Sequence, residues 1–221
     1  MNRAATAEKL ALARLGTSVR ERLAADPSVY RFPTEEAEIF AVGNFLTAEE
    51  CTHLMAMIDR VATPSVLYEP QHNAKYRTSY SGDVDPEDFF VRMIDRRICD
   101  LLGIDPAWGE SAQGQRYMPG QEFQGHFDWF NPTASYWPFE RGRGGQRSFT
   151  AMAYLNDVEE GGLTEFVKLR TSVTPQAGAL LIWNNMRPDG SPNEQLLHAA
   201  QPVGKGVKYV VTKWFRTRPW G

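Results

Sequence analysis

A change of character near residue 111 constrains this chain most. Before it, apolar residues recur at helical spacing; after it, short alternating runs are cut by turns. Candidate strands cover 112–118, 121–128, 147–155, 163–168, 171–174, 178–184, 195–202 and 206–216. The breaks carry "PG", "GG", "PQAG", "RPDGSPN" and "GKG", where Gly and Pro set turn geometry. Helices followed by eight short strands predict an α+β fold, mainly β. Its core is a double-stranded β-helix (jelly roll), with N-terminal helices packed on one sheet. At 221 residues the chain suits a single domain over 1–221, with helix-rich support in 1–110 and the jelly-roll core in 111–217.

The N-terminal "MNRAATAEKLALARLGTSVRERL" is charged and amphipathic. Leu10, Leu12, Leu15, Val19 and Leu23 are too interrupted to form a signal-peptide core. "AEIFAVGNFL" reads as one early strand. In "TAEECTHLMAMIDRV", Thr47 and Glu50 form a capping box ahead of a Leu54, Met55, Ile58 stripe. "PEDFFVRMIDRRICDLLG" reads as a helix, with Pro86 in its first turn and Gly103 at its end. Cys51 and Cys99 sit far apart in helical patterns and read as buried thiols, which points to the cytoplasm. A net charge of -3 argues for neither nucleic acid nor an anionic membrane, and no apolar run has membrane-spanning length. Oligomeric state leaves no signal.

"GQEFQGHFDWF" places His126 and Asp128 two residues apart, so a strand presents both on one face and Phe127 on the other. A surface His–Asp hydrogen bond would produce the same spacing. Of the four histidines, His53 lies in the helical half and His72 in the polar "EPQHNAKY". His198, in the strand-like "EQLLHAAQPV", is either a third ligand or a packed core residue. Lys208 follows ten residues later, past "PVGKG", which predicts that the two sit on adjacent antiparallel strands. Alternation in "VKYVVTKWFR" puts Lys208, Val210, Thr212, Trp214 and Arg216 on one face, opposite Val207, Tyr209, Val211, Lys213 and Phe215. A lysine turned into a barrel calls for an anion. Two histidines and one carboxylate describe the facial triad of non-haem Fe(II) oxygenases, which leaves positions for a 2-oxo acid and O2. A zinc hydrolase also needs three ligands, but it gives Lys208 no role. A non-catalytic metal- or ligand-binding jelly roll is the reading from another class.

Four blocks carry a family resemblance: "RYMPGQEFQGHFDWF", "RSFTAMAYLNDVEEGGLTEF", "VTPQAGALLIWNN" and "LHAAQPVGKGVKYVVTKWF". In that order, within a span from about Glu38 to Trp214, the chain resembles the prolyl 4-hydroxylase-like 2-oxoglutarate/Fe(II) dioxygenases. The resemblance implies that His126, Asp128 and His198 hold iron. It implies that Lys208 binds the distal carboxylate of 2-oxoglutarate and that Tyr117 and Thr164 hydrogen-bond that carboxylate or its neighbours. Thr164 shares a strand face with Phe166. Relatives acting on prolyl peptides use a tyrosine three residues before the first iron histidine, an arginine on the strand ending in "YLN" and a late tryptophan. Phe123, Arg147 and Trp214 occupy those positions, and Arg216 stands where some relatives have histidine.

The implied reaction hydroxylates an unactivated C–H bond, turning 2-oxoglutarate and O2 into succinate and CO2, with ascorbate as reductant. The implied substrate is a prolyl residue in a peptide or protein, or alternatively a free amino acid or other small metabolite. Asp128 favours hydroxylation over halogenation, which would vacate that ligand position. Of the two long linkers, 129–146 and 184–194, the first is expected to act as a lid.

Overall fold

The computed structural model describes residues 3–66 and 76–221, so His72 and most of its polar loop lie outside the described residues. The described residues include four α-helices: α1 (Arg3–Ala25), α2 (Ala48–Val61), α3 (Phe89–Leu102) and α4 (Trp137–Gly142). The strands of the first half are β1 (Val29–Arg31), β2 (Ile39–Val42), β3 (Thr63–Pro64) and β4 (Tyr80–Asp83). Then come β5 (Gln113–Tyr117), β6 (Phe123–His126), β7 (Arg147–Tyr154), β8 (Glu160–Gly161) and β9 (Thr164–Phe166). The last are β10 (Thr171–Val173), β11 (Leu180–Asn184), β12 (His198–Ala200), β13 (Val203–Lys205) and β14 (Lys208–Arg216). Among the described residues no helix is long and apolar enough to cross a membrane.

All strand pairs are antiparallel. A large sheet runs β1-β2-β11-β7-β14-β5-β4-β3, facing a smaller sheet β10-β9-β12-β6, with β13-β8 as a separate pair. This is the expected jelly roll. The first 110 residues add four strands to its large sheet besides three helices. Of these, only β2 has an apolar run; "VYR", "TP" and "YSGD" carry no period-2 signal and pair near the sheet edges.

Local chemistry sets the helix ends. Thr47 Oγ1 accepts the Glu50 N–H (3.2 Å) and Glu50 Oε2 accepts the Thr47 N–H (2.8 Å), closing the capping box that starts α2. The Glu50 carboxylate also takes both guanidinium arms of Arg97 at 3.0 Å, tying α2 to α3. Pro86 does not open α3 as expected. Asp88 accepts the Phe90 and Val91 N–H groups at 2.9 and 3.2 Å, and a side-chain cap outcompetes a proline that only presets φ. Gly103 ends α3 in the left-handed region.

The large sheet buries both faces. Outward, Phe149, Ala151, Ile182, Val211 and Phe215 meet helix residues such as Leu54, Ile58, Ile94 and Ile98. Inward, Ile39, Met152, Tyr154, Trp183 and Val210 meet Phe166 of the smaller sheet. Lys213 lies on the helix side of β14 and pairs with Asp95 of α3. The alternation of β14 read from the sequence is therefore the alternation observed.

Candidate active site

Both sheets contribute to one cavity of about 790 Å³. On the smaller sheet, His126 ends β6 and His198 starts β12, and the two are direct cross-strand partners. Residues so paired bring their side chains together, and the two rings lie 4.2 Å apart. Asp128 follows two residues after His126, beyond the strand end but on the same side. The donor atoms of the three residues all lie within 4.8 Å of one another.

Each donor is oriented from behind. His126 Nδ1 lies 2.9 Å from the Gln124 carbonyl, and His198 Nδ1 lies 2.9 Å from the Leu196 carbonyl. A carbonyl only accepts, so both Nδ1 atoms carry the proton and both Nε2 atoms present lone pairs. Asp128 Oδ2 accepts from the Thr150 hydroxyl at 2.7 Å, and Asn185 donates to the same hydroxyl at 3.0 Å. Phe123 stacks on His126 at 3.6 Å, while Trp183 meets the His198 ring edge-on at 5.1 Å. Burial and the neighbouring His198 push the His126 pKa down to about 3, keeping the ring neutral. Burial works against the Asp128 carboxylate, but His198, His126, Arg147 and the Thr150 hydroxyl together hold its pKa below the ordinary value.

Lys208 lies on the large sheet, not on a strand adjacent to His198. Between them the chain crosses from one sheet to the other, and Val203–Lys205 pairs with β8 on the way. The two side chains therefore face each other across the cavity. Lys208 is 1% exposed, and its ammonium is 3.3 Å from Thr164 Oγ1, with the Tyr117 and Tyr154 rings at 5.5 and 5.7 Å. No carboxylate pairs with it among the described residues, and burial lowers its pKa to about 7. Tyr117 lies opposite Lys208 in register and donates to Gln115 at 2.7 Å. Thr164 accepts from the Tyr154 hydroxyl at 2.7 Å.

The three residues expected at the substrate also line the cavity. Besides stacking on His126, Phe123 carries the Arg77 guanidinium over its ring at 4.6 Å. Arg147 forms a two-armed pair with Glu110 (2.6 and 2.8 Å) and lies 4.0 Å over the Trp214 ring. Arg216 is fully buried and pairs with Glu110 and Glu140. Sequence reasoning missed Thr150, Asn185, Tyr154, Glu110 and Arg77. Alternation in 147–155 puts Thr150 and Tyr154 on one inward face and could have found them. Glu110, Arg77 and Asn185 lie outside the strands, where no period exists to read.

A family model described as the 2OG-Fe(II) oxygenase superfamily matches residues 112–216. The sequence is 34% identical over 209 residues to probable prolyl 4-hydroxylase 8 of Arabidopsis thaliana, covering 81% of this chain and 69% of that protein. The chain belongs to the prolyl 4-hydroxylase-like 2-oxoglutarate/Fe(II) oxygenases. It is 35% identical over 198 residues to prolyl 4-hydroxylase 5 of the same plant, covering 78% of this chain and 66% of that protein, a little under two thirds. Among solved structures, the viral collagen prolyl hydroxylase of Paramecium bursaria Chlorella virus-1, as its 2OG complex, superposes with a TM-score of 0.64. It shares 26% identity over 80% of this chain and 95% of that one.

The residues present fit the cofactors of a prolyl 4-hydroxylase-like oxygenase. Two imidazole lone pairs and one carboxylate converge as the family's His-Asp-His set does. The unpaired ammonium of Lys208 at the closed end matches the far carboxylate of a dicarboxylic cosubstrate. When bound, ferrous iron and 2-oxoglutarate supply the oxidising chemistry, in which the 2-oxo acid is cleaved to succinate and CO2 as oxygen enters a C–H bond.

Proposed function

We propose that this chain hydroxylates a prolyl residue within a peptide or protein, with His126, Asp128 and His198 holding iron. Lys208, Thr164 and Tyr117 anchor 2-oxoglutarate, with Tyr154 orienting Thr164, and Phe123, Arg147 and Trp214 form the wall against which the substrate lies. Thr150 steadies the Asp128 carboxylate, and the apolar rings of Phe123 and Trp183 limit water around the histidines. Ascorbate serves as reductant. The cytoplasm is the proposed location, supported by the two buried free thiols Cys51 and Cys99.

The observation that carries the peptide reading is the cavity itself. A five-carbon dicarboxylate fills only part of about 790 Å³, and the remainder is lined by Trp129, Phe130, Tyr136 and Trp220. Aromatic-lined grooves suit proline-rich segments, whose extended conformation is largely preformed. The test is mass spectrometry of proline-containing peptides after incubation with Fe(II), 2-oxoglutarate and ascorbate. Peptides should gain one oxygen on proline; free proline hydroxylated in preference to every peptide would refute the reading.

One observation favours a free amino acid instead. Arg77 lines the cavity, burial lowers its pKa, and among the described residues its side chain donates to Ser79 and Gln113, each at 3.2 Å. A guanidinium so placed can hold a free carboxylate. The same assay with free amino acids separates the two.

A further inference from the structure

We infer that segment 129–146 is a fixed wall of the cavity, pinned by Arg216 through Glu140, and that Arg216 thereby positions Arg147 against Trp214. The role assigned to Arg147 rests on the peptide reading above; the wall does not. Four charges alternate in a chain, Arg147–Glu110–Arg216–Glu140, the last three buried and Arg147 partly buried. Glu110 takes both arms of Arg147, and Arg216 Nε lies 2.6 Å from the same carboxylate in ionic contact. The next arm of Arg216 reaches Glu140 in α4 at 2.5 Å, and its third nitrogen donates to the Gly145 carbonyl at 2.6 Å. Arg216 and Glu140 are each 1% exposed.

The backbone closes over this chain. Gly144 and Gly145 both adopt left-handed φ values, and a Cβ on Gly144 would sit 3.1 Å from the Arg216 Cβ. The stem is closed by Gln146, whose side-chain oxygen accepts the Phe130 N–H (2.6 Å) and whose amide donates to the Phe130 carbonyl (2.8 Å).

Two positive and two negative groups balance. Lifting the segment as a lid would separate Glu140 and the Gly145 carbonyl from Arg216, leaving that buried guanidinium with Glu110 alone. Losing only the Glu140 charge leaves Glu110 as the one carboxylate shared by both arginines, which draws it toward Arg216 and loosens its grip on Arg147. A histidine at 216 offers two N–H groups, too few for Glu110, Glu140 and the Gly145 carbonyl together.

The test uses the full chain carrying Glu140→Gln or Arg216→His, with folding checked by circular dichroism. Limited proteolysis of the wild type should cut 129–146 equally slowly with and without a proline-rich peptide. Glu140→Gln should be cut about tenfold faster and show a peptide KM raised by a similar factor, the scale of a lost charge-assisted bond. Its KM for 2-oxoglutarate and its peptide-free succinate release should stay at the wild-type values. Arg216→His should reproduce the faster cutting; should it fail to fold, amide exchange of 129–146 in Glu140→Gln replaces it. Cutting of the wild type that is fast alone and slow with peptide would show a lid and overturn the inference. So would wild-type cutting rates in Glu140→Gln. If no peptide is hydroxylated by the wild type, the substrate reading falls, while proteolysis and exchange still decide the wall.

Discussion

Lys208 holds its ammonium deep in the cavity with the Thr164 hydroxyl as hydrogen-bond partner, and burial brings its pKa to about 7. In the unfolded chain it titrates near the usual lysine value of about 10.4. Between those values the unfolded state binds more protons, so the burial penalty is full below about pH 7 and is relieved as pH rises toward the unfolded value. A dicarboxylate needs the charged form, so anaerobic binding of 2-oxoglutarate at pH 8–9 should take up a proton. Calorimetry in two buffers of different ionisation heat measures this; identical heats would contradict it. Thr150→Val tests the support of Asp128. The loss of the bond from its hydroxyl should weaken iron binding about 10- to 100-fold, as measured by metal titration. The faces of His126 and Lys208 were legible because strand alternation commits each to one side, and Asp128, just past the end of β6, keeps the side of His126. Arg77 and Glu110 were not, because their positions come from chain segments that only the tertiary fold brings to the cavity.

At the scale of elements, the helix stops and starts were legible where a side chain itself closes the end. Thr47→Ala should cost about 1 kcal/mol through the lost cap. For a chain of this size that lowers Tm by about 2–4 °C, readable by thermal denaturation. An unchanged Tm would mean that the Glu50–Arg97 pair alone holds α2. Pro86 misled because Asp88, two residues on, is the stronger start signal. The long apolar strands β7, β11 and β14 were legible throughout, being buried on both faces of the sheet. Strands β3 and β4 were not, since a two-residue "TP" and a polar "YSGD" are held by pairing rather than propensity. Helix α4 was read as loop for a related reason: its six residues are fixed by the Arg216–Glu140 pair, a contact from the far end of the chain.

For the whole molecule, the jelly roll follows from one topological fact that spacing alone did not reveal. The chain passes from the smaller sheet to the larger between His198 and Lys208, so one sheet carries the metal-type donors and the other the cation. Neither sheet makes the site alone, which links site occupancy to global stability. Fe(II) with 2-oxoglutarate, at about 100 times their dissociation constants, should stabilise the fold by about 2.7 kcal/mol for a ligand that binds only the native state. Thermal melts with and without both, under anaerobic conditions, should show the rise in the wild type and not in His198→Ala. The most direct measurement of the central claim is succinate and hydroxyproline formed together in one reaction. Purified protein with Fe(II), O2, 2-oxoglutarate and a proline-rich peptide should yield one hydroxyproline for each peptide-dependent succinate, and His198→Ala should yield neither. Iron-independent succinate, or undiminished product from His198→Ala, would contradict the account.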